Sequence, residues 1–137
     1  MEYIYFNDLK LSKIALGCAD FGTNVSIKDS FLLMDEYRKQ GGNIFDTGRI
    51  YSCWLEGGAN KSESTIGDYL ESRNCRKDVV IATKGGHPPI YNMHLSRISK
   101  EELTNDFWQM PIIGCDEFIP VDLIGFNYAK SSENKKC

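Results

Sequence analysis

Gly41-Gly42-Asn43-Ile44-Phe45-Asp46-Thr47-Gly48-Arg49-Ile50-Tyr51 is the stretch whose reading decides the fold. A glycine pair ends a helix, Asn43 to Phe45 makes a short apolar strand, and an acid follows where that strand should stop. Asp46 therefore sits at the carboxyl end of a strand. In a parallel α/β protein, side chains at the carboxyl ends of strands and in the loops after them line the site. Tyr51 lies in that loop. The pattern returns at Val79-Val80-Ile81-Ala82-Thr83-Lys84, a buried-type strand that ends on a lysine before Gly85-Gly86. Two strands thus deliver Asp46, Tyr51 and Lys84 to one rim.

Working outward toward the N-terminus, Tyr3 to Phe6 and Leu9 to Lys13 are β-forming runs separated by Asn7-Asp8, which predicts a hairpin. Ile14 to Gly17 reads as the first strand of the parallel set. The loop Gly17 to Thr23 holds glycines that would let a backbone approach a ligand closely, or that simply make a tight turn. Ser26 with Asp29 three residues on predicts a helix N-cap, and Ile27, Phe31, Met34 and Tyr37 recur at helical spacing as its inward face.

Toward the C-terminus, the loop from Thr47 to about Lys61 exceeds the usual ~2–6 residues of such connections, and long rim loops tend to carry function. Trp54 in that loop is a candidate substrate wall, or a side chain packed on the rim. Ser62-Glu63 opens a helix through Ser72 with Ile66, Tyr69 and Leu70 inward. The loop Gly85 to Ile98 carries His87 and His94, and Ser99-Lys100-Glu101-Glu102 is a capping box for a further helix. Met110-Pro111 then stops that helix, since proline lacks the amide donor and clashes one turn back. Residues 110–137 form an apolar but irregular segment and a polar tail.

The runs "GGNIFDTGRIYS", "SESTIGDYL" and "DVVIATKGG" together resemble the aldo-keto reductase family in order and spacing, over about residues 1–109. That resemblance implies a (β/α)8 barrel that reduces carbonyls with NADPH through a tetrad of Asp, Tyr, Lys and His. It assigns catalytic roles to Asp46, Tyr51 and Lys84, and cofactor contacts to Gly17, Thr23 and Asp46. Neither His87 nor His94 follows a fourth strand, so the histidine's role passes to neither. Reducing a carbonyl leaves an alkoxide that needs a proton donor whose pKa is brought toward neutrality. A lysine ammonium beside a tyrosine favours the phenolate, and a carboxylate holds the lysine in place. The plainer alternative has Asp46 capping a turn, Lys84 reaching along the rim and Tyr51 packing on it.

At ~30 residues per strand-helix unit, 137 residues supply about half of a barrel of ~250. The expected fold is therefore α/β, an incomplete TIM-type barrel made of an N-terminal β-hairpin and the first three β/α units over residues 1–109, with residues 110–137 divergent. The break after Gln109 reads as a truncation, a frame change or a natural deletion. The expected function is NADPH-dependent reduction of an aldehyde or ketone, weak or absent in this chain alone. The competing reading is a catalytically dead half-barrel that pairs through its open edges with itself or with a missing C-terminal half.

Composition excludes several classes. A hydrophobic fraction of 42% and a charged fraction of 26% are ordinary for a globular domain. A net charge of −3 without a lysine-arginine stripe gives no footprint for nucleic acid. With no basic start and no long apolar run, the chain is expected in the cytoplasm and away from membranes. Five widely spaced cysteines without a Cys-x-x-Cys fit neither a disulfide framework nor a metal site and are expected to be reduced thiols.

Overall fold

The computed structural model describes residues 1–85. The expectations for His87, His94, the helix after Ser99 and the segment 110–137 lie outside the described residues. Strands β1 (Tyr3–Phe6) and β2 (Leu9–Ser12) form the antiparallel hairpin, in a register that pairs Tyr3 with Ser12 and Phe6 with Leu9. Asn7 takes φ of 50° in the turn, a conformation that asparagine tolerates better than most residues.

Next come β3 (Leu16–Gly17), α1 (Ile27–Lys39), β4 (Ile44–Asp46), α2 (Lys61–Arg73), a 3-10 turn (Arg76–Asp78) and β5 (Val80–Ala82). The last three strands make a parallel sheet in the order β3-β4-β5. Its register aligns Leu16, Phe45 and Ile81 in one row and Gly17, Asp46 and Ala82 in the next. Strands are shorter than the sequence predicts. Ile14 and Ala15 fall outside β3, and β5 stops at Ala82, two residues before Lys84. The rungs nevertheless continue past the strand ends: Cys18 N–H donates to Asp46 O (2.9 Å), Thr47 N–H to Ala82 O (2.8 Å) and Arg49 N–H to Lys84 O (3.1 Å).

Paired residues of a parallel sheet share a face, and successive residues alternate. Phe45 is fully buried on the helix side, with the rings of Tyr37 at 5.9 Å and Tyr69 at 6.0 Å, and Leu16 and Ile81 pack against the same core. Met34 of α1 and Ile66, Tyr69 and Leu70 of α2 complete it. Ile27, the first residue of α1, does not join its predicted face and is 47% exposed, whereas Ser30 and Met34 are buried. Ser26 caps α1 as its spacing predicts, its Oγ accepting from Asp29 N–H at 3.1 Å. At the other end Gly41 turns to φ of 88° and the N–H of Gly42 bonds to Tyr37 O (3.0 Å), which ends the helix and starts β4 on the core side.

The opposite row, Gly17-Asp46-Ala82, faces away from both helices. Gly17 and Ala82 are exposed there and Asp46 is half-buried. Among the described residues no helix is long and apolar enough to cross a membrane.

Candidate active site

The row Gly17-Asp46-Ala82 sets the position of everything above it. Lys84, two residues past Ala82, returns to the same face as Asp46, and its Nζ donates to Asp46 Oδ1 at 2.5 Å. The same ammonium donates to Thr47 O at 2.9 Å and to Tyr51 Oη at 3.0 Å. An ammonium has three N–H groups, and all three are used. Tyr51 Oη accepts from Lys84, so the phenol's own proton is not used in that contact. Burial pulls the Lys84 ammonium down, but hydrogen bonds from it to Asp46 and Tyr51 and the charges of those groups outweigh that and hold it above the usual lysine value.

Tyr51 reaches this point because its loop is folded back on the sheet. Ser52, next to it, takes φ of 61°, is fully buried, donates from Oγ to Ala19 O (2.9 Å) and pairs with Thr23 Oγ1 (3.0 Å). Thr23 Oγ1 also lies 2.9 Å from Asp20 O, and because Ser52's hydrogen goes to Ala19 O, the single hydrogen of Thr23 is shared between Asp20 O and Ser52 Oγ. Its hydroxyl thus ties the β3 loop to the Tyr51 loop. Gly22, at φ of 76°, lies so close to α2 that a Cβ there would stand 2.3 Å from Thr65 Oγ1. Gly17 is different. A Cβ there would meet nothing within 4 Å, so its backbone borders open space beside Asp46. Trp54 is 67% exposed, apart from the Asp46-Tyr51-Lys84 cluster's hydrogen bonds.

The helix side of the rim is built by the first turn of α2. Ser62 Oγ donates to Cys18 O (2.6 Å) and pairs with Thr47 Oγ1 (2.6 Å), while Thr83 Oγ1 donates to Glu63 Oε1 (2.6 Å). Glu63 is fully buried, and burial pushes its carboxyl above the usual range against the opposing pull of Thr83's hydrogen bond and of the Arg49 charge. The sequence shows Ser62-Glu63 only as a helix start. The signal for more was present, since Glu63, Ile66 and Leu70 share one helical stripe, which places an acid on the buried face.

Cys18 is fully buried behind Asp46, and burial, with the Asp46 charge, pushes its thiol up to about 12. Both effects disfavour the thiolate, which is the reactive form. Among the described residues Cys18, Cys53 and Cys75 are free, and no cluster of histidine, cysteine and acidic residues could hold a metal ion.

A parallel strand-helix sheet with an aspartate, a lysine and a tyrosine joined at its carboxyl rim is the class of structure defined so far. The chain belongs to the aldo/keto reductase family, whose pattern matches residues 13–110. It is 36% identical over 91 residues to an uncharacterized oxidoreductase, YrpG, of Bacillus subtilis, covering 64% of this chain and 27% of that protein. It is 32% identical over 83 residues to norsolorinic acid reductase B of Dothistroma septosporum, covering 56% of this chain and 20% of that one. Among solved structures, the holo form of an aldo-keto reductase from Bacillus halodurans, AKR11C1, aligns at 29% identity with a TM-score of 0.47, over 58% of this chain and 24% of that chain. The chain thus spans between a fifth and about a quarter of the length of these relatives.

Proposed function

We propose that this chain carries the proton-donating side of an oxidoreductase that reduces an aldehyde or ketone to an alcohol with NADPH. In this reading the described sheet is the opening part of a (β/α)8 barrel, with Asp46, Tyr51 and Lys84 at its mouth. The observation that carries the reading is the Lys84 ammonium, bonded at once to Asp46 Oδ1 (2.5 Å) and Tyr51 Oη (3.0 Å).

Tyr51 is the proton donor. Its Oη already accepts from Lys84, so its own hydrogen is free to be given to the oxygen of a carbonyl placed on the open side. The negative charge then left on Tyr51 Oη faces the Lys84 ammonium, a charge-assisted contact stronger than the neutral one it replaces. Asp46 keeps that ammonium charged and oriented. Thr47 O takes its third hydrogen and prevents the amine from swinging toward the substrate.

A reduced nicotinamide cofactor, when bound, supplies the hydride. The described residues fit one edge of such a group, since the backbone at Gly17 borders open space next to Asp46 and a flat ring could lie against it. Gly17 and Asp46 are the residues that would hold it. Thr23, whose hydroxyl is shared with Ser52, would act on it by fixing the loop. Trp54, exposed in the Tyr51 loop, is left as a wall for the substrate's apolar part.

The test is carbonyl-dependent oxidation of NADPH by the purified chain, followed against Tyr51→Phe and Lys84→Met. A slow rate is expected, because forfeited positioning of reactants removes much of the ~7–11 kcal/mol it can supply. That rate should fall about a hundredfold or more in Tyr51→Phe, and in Lys84→Met as well, since general acid catalysis is worth ~10²–10⁴. An undiminished rate in Tyr51→Phe would sink the assignment of Tyr51 as donor.

A further inference from the structure

Asp46, Tyr51 and Lys84 lie on one face of the sheet, and directly behind them, on the helix face, is a buried acid that their chemistry does not use. Glu63 has no solvent exposure, and its Oε2 has no hydrogen-bond partner among the described residues. Leaving a buried polar atom unmet costs about 1–3 kcal/mol, more for a charged group. An apolar side chain would fill this place at the start of α2, beside Ile66, at no such cost. What the carboxyl has instead is one short contact, from Thr83 Oγ1 to Oε1 at 2.6 Å.

Thr83 immediately precedes Lys84, and consecutive residues of an extended chain point to opposite faces. Whatever holds the Thr83 side chain on the helix face also fixes the direction in which Lys84 leaves the backbone on the other. A parallel arrangement serves Asp46, whose neighbour Thr47 points to the helix face and is held by Ser62 at 2.6 Å. Ser62 and Glu63, adjacent in the first turn of α2, thus each grip the residue next to a member of the Asp46-Lys84 pair. We infer that Glu63 is a positioning residue for Lys84, acting from behind the sheet through Thr83 to keep the ammonium between Asp46 and Tyr51.

The tolerance involved is small. The contacts from Lys84 Nζ are 2.5, 2.9 and 3.0 Å, and a shift of about 1 Å in any of them ends a hydrogen bond. In a reacting site a misplacement of about 1 Å can cost about a hundredfold. The role in turnover rests on the proposed reductase reading, but the geometric claim does not, and the experiment separates them.

Lys84 in the full 137-residue chain can be followed by competitive acetylation with acetic anhydride across a pH series, its modified peptide being quantified by mass spectrometry. The midpoint of that reactivity reports how well Asp46 and Tyr51 hold the ammonium. Thr83→Val, which keeps the shape and removes the hydroxyl, should lower the midpoint by about half a unit or more, as should Glu63→Ala. Glu63→Gln retains an oxygen that accepts from Thr83 and should restore the wild-type midpoint. A folded Thr83→Val protein with an unchanged Lys84 midpoint would overturn the inference, and this variant decides the matter even if Glu63→Ala does not fold. So would a Glu63→Gln midpoint as low as that of Thr83→Val, which would make Glu63 a distant charge and not a positioning contact. A Lys84 midpoint that moves as stated in a chain with no Tyr51-dependent turnover would uphold Glu63's role and remove the reductase reading. Turnover without the shift would do the reverse.

Discussion

Ser62→Ala removes one oxygen atom and should be among the more damaging small substitutions in this chain. Ser62 Oγ gives its hydrogen to Cys18 O at 2.6 Å, so the contact with Thr47 Oγ1, also 2.6 Å, must have Thr47 as donor. Both contacts are buried, and no water replaces the hydroxyl without a cavity large enough to hold one. Cys18 O keeps the N–H of Phe21 at 3.1 Å, so Thr47 Oγ1 is the group left without its partner, and a loss of about 1–3 kcal/mol is expected. That is a large share of the ~5–15 kcal/mol by which domains are stable. Urea unfolding followed by far-UV circular dichroism measures it, with the midpoint falling and the slope unchanged. Thr47→Val alone should also destabilise, and the double variant should lose less than the sum of the two by about 0.5–3 kcal/mol, because the partners share one contact. Additive losses would refute the shared contact, and a loss below about 0.5 kcal/mol in Ser62→Ala would refute the claim that this hydroxyl joins the ends of β3 and β4.

Phe45→Ala should cost about 3–5 kcal/mol, since the ring is fully buried between Tyr37 and Tyr69, and a loss near 1 kcal/mol in the same unfolding assay would show a core that collapses around the gap. The pH dependence of stability should carry the mark of Glu63. Burial holds its folded pKa above the ordinary glutamate value of 4.5, so the folded chain keeps this proton to higher pH than the unfolded one. The stability it contributes is complete below about 4.5 and is lost as pH rises through the folded value. Glu63→Gln, which does not titrate, should gain on the wild type as pH is raised, and unfolding midpoints that run parallel between about pH 4 and 8 would contradict this. At the acid end the sign reverses. The hydrogen bond from Arg73, opposed in part by burial, holds the Asp35 carboxyl below 3.8, so its contribution is present above that value and lost as pH falls through the folded one.

Those features read correctly from the chain are the ones set by local chemistry. Asn7-Asp8 announces its turn because few other residues accept φ of 50° there, and Ser26 announces a helix start because its side chain replaces a missing backbone partner. The stripe Ile66-Tyr69-Leu70 is legible because it is a periodicity. Ile27 departs from it because periodicity tells which residues share a face, but not how far along the helix that face is covered, and Ile27 at the helix start is 47% exposed. Strand lengths were overestimated for a related cause. An apolar run such as Ile14-Ala15 has β character whether or not a neighbouring strand is long enough to pair with it, and the register pairs only Leu16 and Gly17 with β4.

The site divides along the same line. That Asp46, Tyr51 and Lys84 meet at one rim was legible in the sequence because they sit at strand ends and in the loop after one, where polar residues interrupt an apolar pattern. The residues that hold them are harder to see because each has a sufficient local explanation. Ser62 and Glu63 look like an ordinary helix start, whereas the actual cap residue is Asn60, in the left-handed conformation and without a side-chain cap bond. Freed from capping, Ser62 and Glu63 spend their polar atoms on Cys18, Thr47 and Thr83, the residues one step past the row Gly17-Asp46-Ala82. Because a strand alternates its faces, a helix can reach a site on the far side of a sheet only through such neighbours. A polar pair at the start of α2 that does not cap α2 is therefore where the support for Asp46 and Lys84 has to come from, and Thr83→Val tests that support without touching any group on the Asp46-Tyr51-Lys84 face.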